Sequence, residues 1–262
     1  MEGVVEALNR ARALSIEDLK AKASAAGNLF PADPVRTELF RAANLSPHYP
    51  AVRDLKNRRI VAFDAKDRHT RIFDLMRNAL LDAVAPNETR IIAVAGPARG
   101  CGISTLAANL AFSIARNRQW EVVVAAFDRP HTFDELGLRI TSTRSGMVAG
   151  AETDKVQVEG STLYLVNLDS LAGDGLETTR RATLVGNWTD RVRQECGPTI
   201  MILDLPPLPT SDEGASIARR ADAALIVMGV GSSKLADLEA CRSALARTPH
   251  YIVLNKARPH GL

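Results

Sequence analysis

Residues 91–115, IIAVAGPARGCGISTLAANLAFSIA, gather the most chemistry-bearing pattern of this sequence at one junction. Ile91 to Ala95 is a short apolar run of the kind that forms a buried strand. Gly96 to Gly102 is a loop carrying three glycines. Ser104-Thr105 open an amphipathic helix that includes Leu106, Leu110 and Ile114. Strand, glycine loop and helix are the layout of a phosphate-binding loop, whose backbone N–H groups and helix N-terminus face an anion. Arg99, Gly100, Cys101, Gly102, Ile103, Ser104 and Thr105 are therefore the candidate nucleotide-binding residues. The fingerprint ends in Gly-Lys-Ser/Thr, and this chain has Gly102-Ile103-Ser104. An isoleucine stands where a lysine would neutralise the β- and γ-phosphates.

The elements that would hold this loop alternate along the chain. Apolar runs at 121–127, 162–167, 199–204, 223–229 and 251–255 predict strands, and 59–63 adds a short strand-like run. Helical periodicity is read at 67–84, 176–194, 211–221 and 232–247, and residues 128–160 read mostly as loop. Apolar strands alternating with helices predict an α/β fold: a three-layer, doubly wound, mainly parallel sheet with helices on both faces. Ligands on such a sheet bind at the carboxyl ends of the strands. The glycine loop, Asp128, Asp204 and Asn255 all fall at that edge. Residues 1–56, helical at 1–26 and loop-rich at 27–56, read as an extension, and 57–262 as the nucleotide-type domain.

Composition narrows the function classes. With 46% hydrophobic and 24% charged residues, the chain reads as an ordinary soluble globular protein. A net charge of +3, with no basic run carrying interleaved aromatics, gives no footprint for nucleic acid. Cysteines at 101, 196 and 241 form neither a disulfide framework nor a metal-ligand spacing, which suits a reducing cytoplasm. No apolar run approaches the roughly 20 residues that span a bilayer. The five histidines show no pairing at metal spacing. Cys101, inside the loop at the helix start, reads either as a reactive thiol or as a small residue where the loop is tight.

In the predicted helix 67–84, Ile72, Leu75, Met76, Leu80 and Val84 make an apolar stripe. Arg71, Asp74 and Arg77 recur every three residues and share one face. Such a row is either a solvated face or an interface between subunits.

In order and spacing, G-P-A-R-G-C-G-I-S-T-L-A-A-N-L-A, I-M-I-L-D-L-P-P, A-D-A-A-L-I-V-M and I-V-L-N resemble the cytoplasmic domain of bacterial tyrosine kinases. Those kinases serve capsule and exopolysaccharide export and belong to the MinD/ParA-like P-loop ATPases. The resemblance runs from about residue 59 to 256. It implies Mg-ATP or ADP as cofactor, with Ser104 and Asp204 as the Mg²⁺ positions and Asn255 on the adenine side. It implies Asp128 and Asp204 as the catalytic acids, and Arg71, Asp74 and Arg77 at the interface of a self-associating ring. It implies a cytoplasmic protein held at the inner membrane by the cytoplasmic segment of a membrane polysaccharide co-polymerase.

The chain departs from that family in four places. Ile103 replaces the loop lysine. One acid of the family's Asp-x-Asp pair is missing, leaving Asp128 before Arg129-Pro130. The interface row Glu-x-x-Arg-x-x-Arg becomes Arg71-x-x-Asp74-x-x-Arg77. Residues 257–262 hold no tyrosine cluster. The expectation is a degenerate kinase-like adaptor that binds nucleotide weakly or not at all. Two alternatives stand beside it. One is an active ATPase or tyrosine kinase with a substitute cation such as Arg99. The other is a MinD/ParA-like positioning factor for a secretion or pilus machine.

Overall fold

The computed structural model describes residues 39–82, 88–127, 130–138, 145–171 and 178–257. The helices expected over 1–26, the candidate acid Asp128 and residues 258–262 lie outside them. Residues 37–262 form one compact unit.

The strands in chain order are β1 (Pro47–His48), β2 (Arg90–Ala95), β3 (Glu121–Ala126), β4 (Gly146–Val148), β5 (Ala151–Val158), β6 (Ser161–Asn167), β7 (Thr199–Asp204), β8 (Ala223–Gly229) and β9 (His250–Asn255). The helices are α1 (Leu39–Ala42), α2 (Val52–Asn57), α3 (Thr70–Leu81), α4 (Ile103–Ala115), α5 (Pro130–Glu135), α6 (Thr178–Glu195), α7 (Asp212–Ala218) and α8 (Leu235–Leu245). One sheet runs in the order β1-β5-β6-β3-β7-β2-β8-β9, with β4 attached to β5. From β6 to β9 every pair is parallel, whereas β5–β6 and β4–β5 are antiparallel. The expected doubly wound, mainly parallel sheet is the observed one.

The central strands are buried on both faces, which is why they read as unbroken apolar runs. Alternate residues feed two cores. Ile92, Val94, Val122, Val124, Ile200 and Ile202 face α4, while Ile91, Ala93, Val123, Met201 and Leu203 face α6 and α7. Helix α4 is buried almost all round, and Ala107, Ala108, Ala111 and Ala115 let it lie between the sheet and α3. Phe63 meets Phe112 of α4 edge-on, with ring centroids 5.7 Å apart. Helices α1 and α2, inside the expected 1–56 extension, bury Phe40 and Leu55 completely.

Three readings are corrected. The apolar run 59–63 is not a strand but a turn. Its Ile60, Ala62 and Phe63 are buried, yet its backbone is bound by a side chain rather than by a neighbouring strand. Val61 and Ala62 donate N–H to Asn109 Oδ1 at 2.8 and 3.0 Å, and Asn109 Nδ2 donates to Arg59 O at 2.9 Å. The stretch 128–160 is not mostly loop, since it supplies α5, β4 and β5. Strand β5, AETDKVQV, buries Ala151, Thr153, Asp154, Val156 and Val158 between half-buried polar residues, and it turns into β6 through Glu159-Gly160, both at positive φ. The apolar stripe of α3 is also revised. Met76 and Leu80 pack against the core, but Ile72 and Leu75 are 56% and 59% exposed.

Candidate functional site

The loop expected to bind phosphate runs between β2 and α4. Gly100 and Gly102 sit at φ +80° and +94°, a region that side-chain-bearing residues rarely adopt. At Gly96 a Cβ would lie 2.7 Å from Val227 O, so only glycine lets the loop pass so close to β8. Two neighbours fix the loop from outside. Leu208 donates N–H to Gly96 O at 3.1 Å, tying the Pro206-Pro207 turn to its start. Asn255, at the end of β9, donates Nδ2–H to Cys101 O at 2.8 Å, tying its end. The asparagine expected on the adenine side thus braces the loop from below.

Ile103 begins α4 and is only 8% exposed. Its Cδ1 lies 3.3 Å from where a Cβ of Gly96 would be, so the side chain folds back onto the start of the loop. The tip position therefore holds hydrocarbon packed against the loop. Cys101 is buried too, its Sγ 3.7 Å from Ser233 Oγ, which places it as a packing residue. Arg99 is exposed.

The loop borders two hollows. The larger, about 1320 Å³, is lined by Gly100, Gly102, Ile103, Ser104, Thr105, Asp204 and Asn255. Its other walls bring Lys56, Arg58, Arg59, Arg99 and Lys256, along with Ile72 and Leu254. The smaller, about 540 Å³, lies between Pro97, Ala98, Phe127, Arg181, Pro206, Pro207 and Glu213, and Arg99 borders both. In the smaller hollow Arg181 pairs with Asp169 and, at 3.2 Å, with Glu213, while its guanidinium stands 5.7 Å over the Phe127 ring. Burial raises the Glu213 carboxyl above its ordinary value, the Arg181 charge works against that rise, and the Asp169 charge adds to it. Neither Arg181 nor Glu213 stands out in the sequence, where each is one more charge on a helix.

Asp204 ends β7 in register with Val94 and Ala126 and is 2% exposed, so the sheet delivers it beside the loop. Ser104 and Asp204, the two positions expected for Mg²⁺, line the same hollow. Among the described residues no group of three or more His, Cys, Asp or Glu is placed to hold a metal by itself.

The charged row of α3 turns toward the protein. Asp74 accepts from Ser113 Oγ at 2.6 Å, from Arg77 at 3.2 Å and from Arg116. Arg77 also donates to Ser113 O at 3.0 Å. Burial alone would raise the Asp74 carboxyl, but the Ser113 and Arg116 hydrogen bonds and the Arg116 and Arg77 charges outweigh it and hold it below the ordinary value. Of the three residues expected at an interface, Asp74 and Arg77 join α3 to α4, and Arg71 is exposed.

No protein-family model and no curated sequence matches the chain. Solved structures do. The kinase domain of Escherichia coli tyrosine kinase ETK aligns with TM-score 0.56 at 13% identity, over 78% of this chain and 82% of that one. The chimerical protein CapA2B2 aligns with TM-score 0.50 at 13% identity, over 85% and 100%. A plasmid partition protein from Borrelia burgdorferi aligns with TM-score 0.47 at 16% identity, over 66% and 81%. The chain has the doubly wound P-loop fold of the bacterial tyrosine-kinase domains.

Proposed function

We propose that this chain is a degenerate tyrosine-kinase-like P-loop protein that serves exopolysaccharide or capsule export as an adaptor, not as a phosphotransferase. One observation carries the reading: Ile103 occupies the lysine position and is packed against Gly96. Phosphoryl transfer rests on positioning and charge neutralisation. Here the loop offers backbone dipoles without the cation. Ser104 and Asp204 are then inherited metal positions that no tightly held nucleotide uses. The adaptor role rests on the sequence resemblance. The chain would bind the cytoplasmic segment of a membrane polysaccharide co-polymerase and sit peripherally at the inner membrane. No helix among the described residues is long and apolar enough to cross it alone.

A second reading has one observation in its favour. Arg59, Arg99 and Lys256 line the large hollow, and a cation among them would serve an ATP-binding enzyme in place of the lysine. Arginine is a longer, planar fork and no simple substitute for an ammonium point charge.

Calorimetric titration of Mg-ATP and Mg-ADP into the wild type and into Ile103→Lys separates the two. The adaptor reading expects no heat from the wild type and binding by the lysine variant, because the loop is already shaped. Micromolar binding by the wild type, about −8 kcal/mol, overturns it, and loss of that binding in Arg99→Ala would identify the substitute cation.

A further inference from the structure

Strand β9 ends the sheet, and among the described residues no strand pairs with its outer edge. Natural edge strands are protected by charge, proline, a bulge or extreme shortness. The opposite end of the sheet follows that rule, with β1 two residues long. Strand β9, His-Tyr-Ile-Val-Leu-Asn, is six residues long, holds no Lys, Arg, Asp, Glu or Pro, and pairs with β8 in unbroken register. Ile252 and Leu254 on one of its faces are 48% and 66% exposed. Asn255 O accepts from Val230 N–H, so residues 251, 253 and 255 bond to β8. By alternation, the free N–H and C=O groups of 250, 252 and 254 point outward.

We propose that β9 pairs antiparallel with β9 of a second copy across a two-fold axis at Val253, joining the two sheets edge to edge. A two-fold perpendicular to the sheet keeps each face on its own side, so only registers centred on a residue are allowed. Centring on Val253 sets Ile252 opposite the second copy's Leu254, and Leu254 opposite its Ile252. These are the residues with outward backbone groups, so the apolar pairs and the hydrogen bonds coincide. Centring on Ile252 instead would set His250 against Leu254.

Helix α8 adds charge complementarity. Arg219, the residue that caps the end of α7, donates to Ala244 O, which puts α7 on one flank of α8. Leu235, Glu239 and Arg242, spaced i, i+4, i+7, line the opposite flank and are exposed. On that flank the acid precedes the base, and the two pair at 3.5 Å. Two α8 helices brought antiparallel by the two-fold present these flanks to each other with acid and base in opposite order. They stand about three strand spacings apart, roughly 14 Å, where helices in contact pack at about 8–10 Å. The remaining gap is the space that Ile252, Leu254 and their symmetry copies fill. Leu254 also borders the large hollow and Asn255 ties the loop, but the pairing uses the outward backbone edge of β9, so the inference does not depend on the adaptor reading.

Cysteine cross-linking with light scattering tests it. Residues 253 of the two copies form a non-hydrogen-bonded antiparallel pair, with Cα atoms about 4.5 Å apart, inside the disulfide range of about 4.4–6.8 Å. Residues 252 of the two copies are diagonal neighbours, about 7–8 Å apart. The native thiols are buried, and burial pushes Cys196 and Cys241 up to about 12 and about 11, so the introduced thiol is the reactive one. The expected result is that Val253→Cys becomes a covalent dimer on mild oxidation and Ile252→Cys does not. The wild type at roughly 100 μM, well above a micromolar Kd, shows twice the mass of one chain. Leu254→Lys restores the single mass with an unchanged circular dichroism melt. A single mass for the wild type overturns the proposal and leaves a partner protein's strand as the occupant. A dimer abolished by Arg71→Glu but not by Leu254→Lys, or one linked through position 252, overturns it equally.

Discussion

The two ends of α4 are held by different interactions. At its N-terminus the loop is fixed by its glycine geometry, its Asn255 brace and its tie to Leu208, and Ile103 packs hydrocarbon against it. At its C-terminal half Asp74, Arg77, Ser113 and Arg116 form a dense ionic cluster that touches no ligand site and joins two helices. Between them Asn109, fully buried, binds the 59–62 turn to the helix. Backbone geometry and one amide fix the loop end, and charge fixes the other.

The largest expected effect is at the joint between the two ends. Asn109 makes four hydrogen bonds, to Val61, Ala62, Arg59 and Thr105, all between 2.8 and 3.0 Å. Asn109→Ala strips partners from three backbone groups of a buried turn. At ~1–3 kcal/mol for each group left unsatisfied, less what water recovers, the cost is about 3 kcal/mol. Urea denaturation should show it as a lower midpoint with unchanged slope. An effect under about 1 kcal/mol would mean that the turn does not depend on the helix.

Next comes the ionic end. Asp74→Ala leaves Arg77 and Arg116, whose side chains are 13% and 16% exposed, without their shared carboxylate, at about 2 kcal/mol. The carboxyl is held below its unfolded value of about 3.9, so its contribution is fully present above that pH. It is lost as pH falls through the folded value. Below pH ~4 the wild type should lose stability more steeply than Asp74→Asn, and the two curves should converge in strong acid. Parallel curves would remove Asp74 from the acid response.

These same contacts explain what was legible in the sequence. Strands β2, β3, β7 and β8 are unbroken apolar runs because a parallel sheet covered on both faces buries every residue, and the phosphate loop announces itself by its glycines. Apolarity reports burial, however, and not the identity of the hydrogen-bond partner. Ile60, Ala62 and Phe63 are as buried as strand residues, but the backbone of this turn is bound by an amide 47 to 50 residues away on α4. The row Arg71, Asp74, Arg77 looks outward on helical spacing alone, and only Ser113 and Arg116 draw Asp74 and Arg77 inward, with Arg71 left exposed. Strand β5 hides because Glu152, Asp154, Lys155 and Gln157 break its apolar run. In the candidate site the loop residues, Asp204 and Asn255 were readable from motif order. Arg181 and Glu213 were not, since their meeting depends on how α6 and α7 pack.

The smallest effect probes the loop end most finely. Gly100 and Gly102 share a positive φ, so an alanine at either meets a similar backbone penalty of roughly 1–2 kcal/mol. They differ in surroundings. A Cβ at Gly100 meets nothing within 4 Å, whereas one at Gly102 would overlap the Asn255 amide and displace it from Cys101 O. The difference between Gly100→Ala and Gly102→Ala therefore isolates the brace, at about 1 kcal/mol, the size of one net hydrogen bond. Adding Asn255→Ala to each should erase most of that difference, because the overlapping group and the bond are then both gone. If the difference survives the double change, the loop is stiff by its own backbone. The β9 asparagine would then be kept for a ligand's sake and not for the loop's.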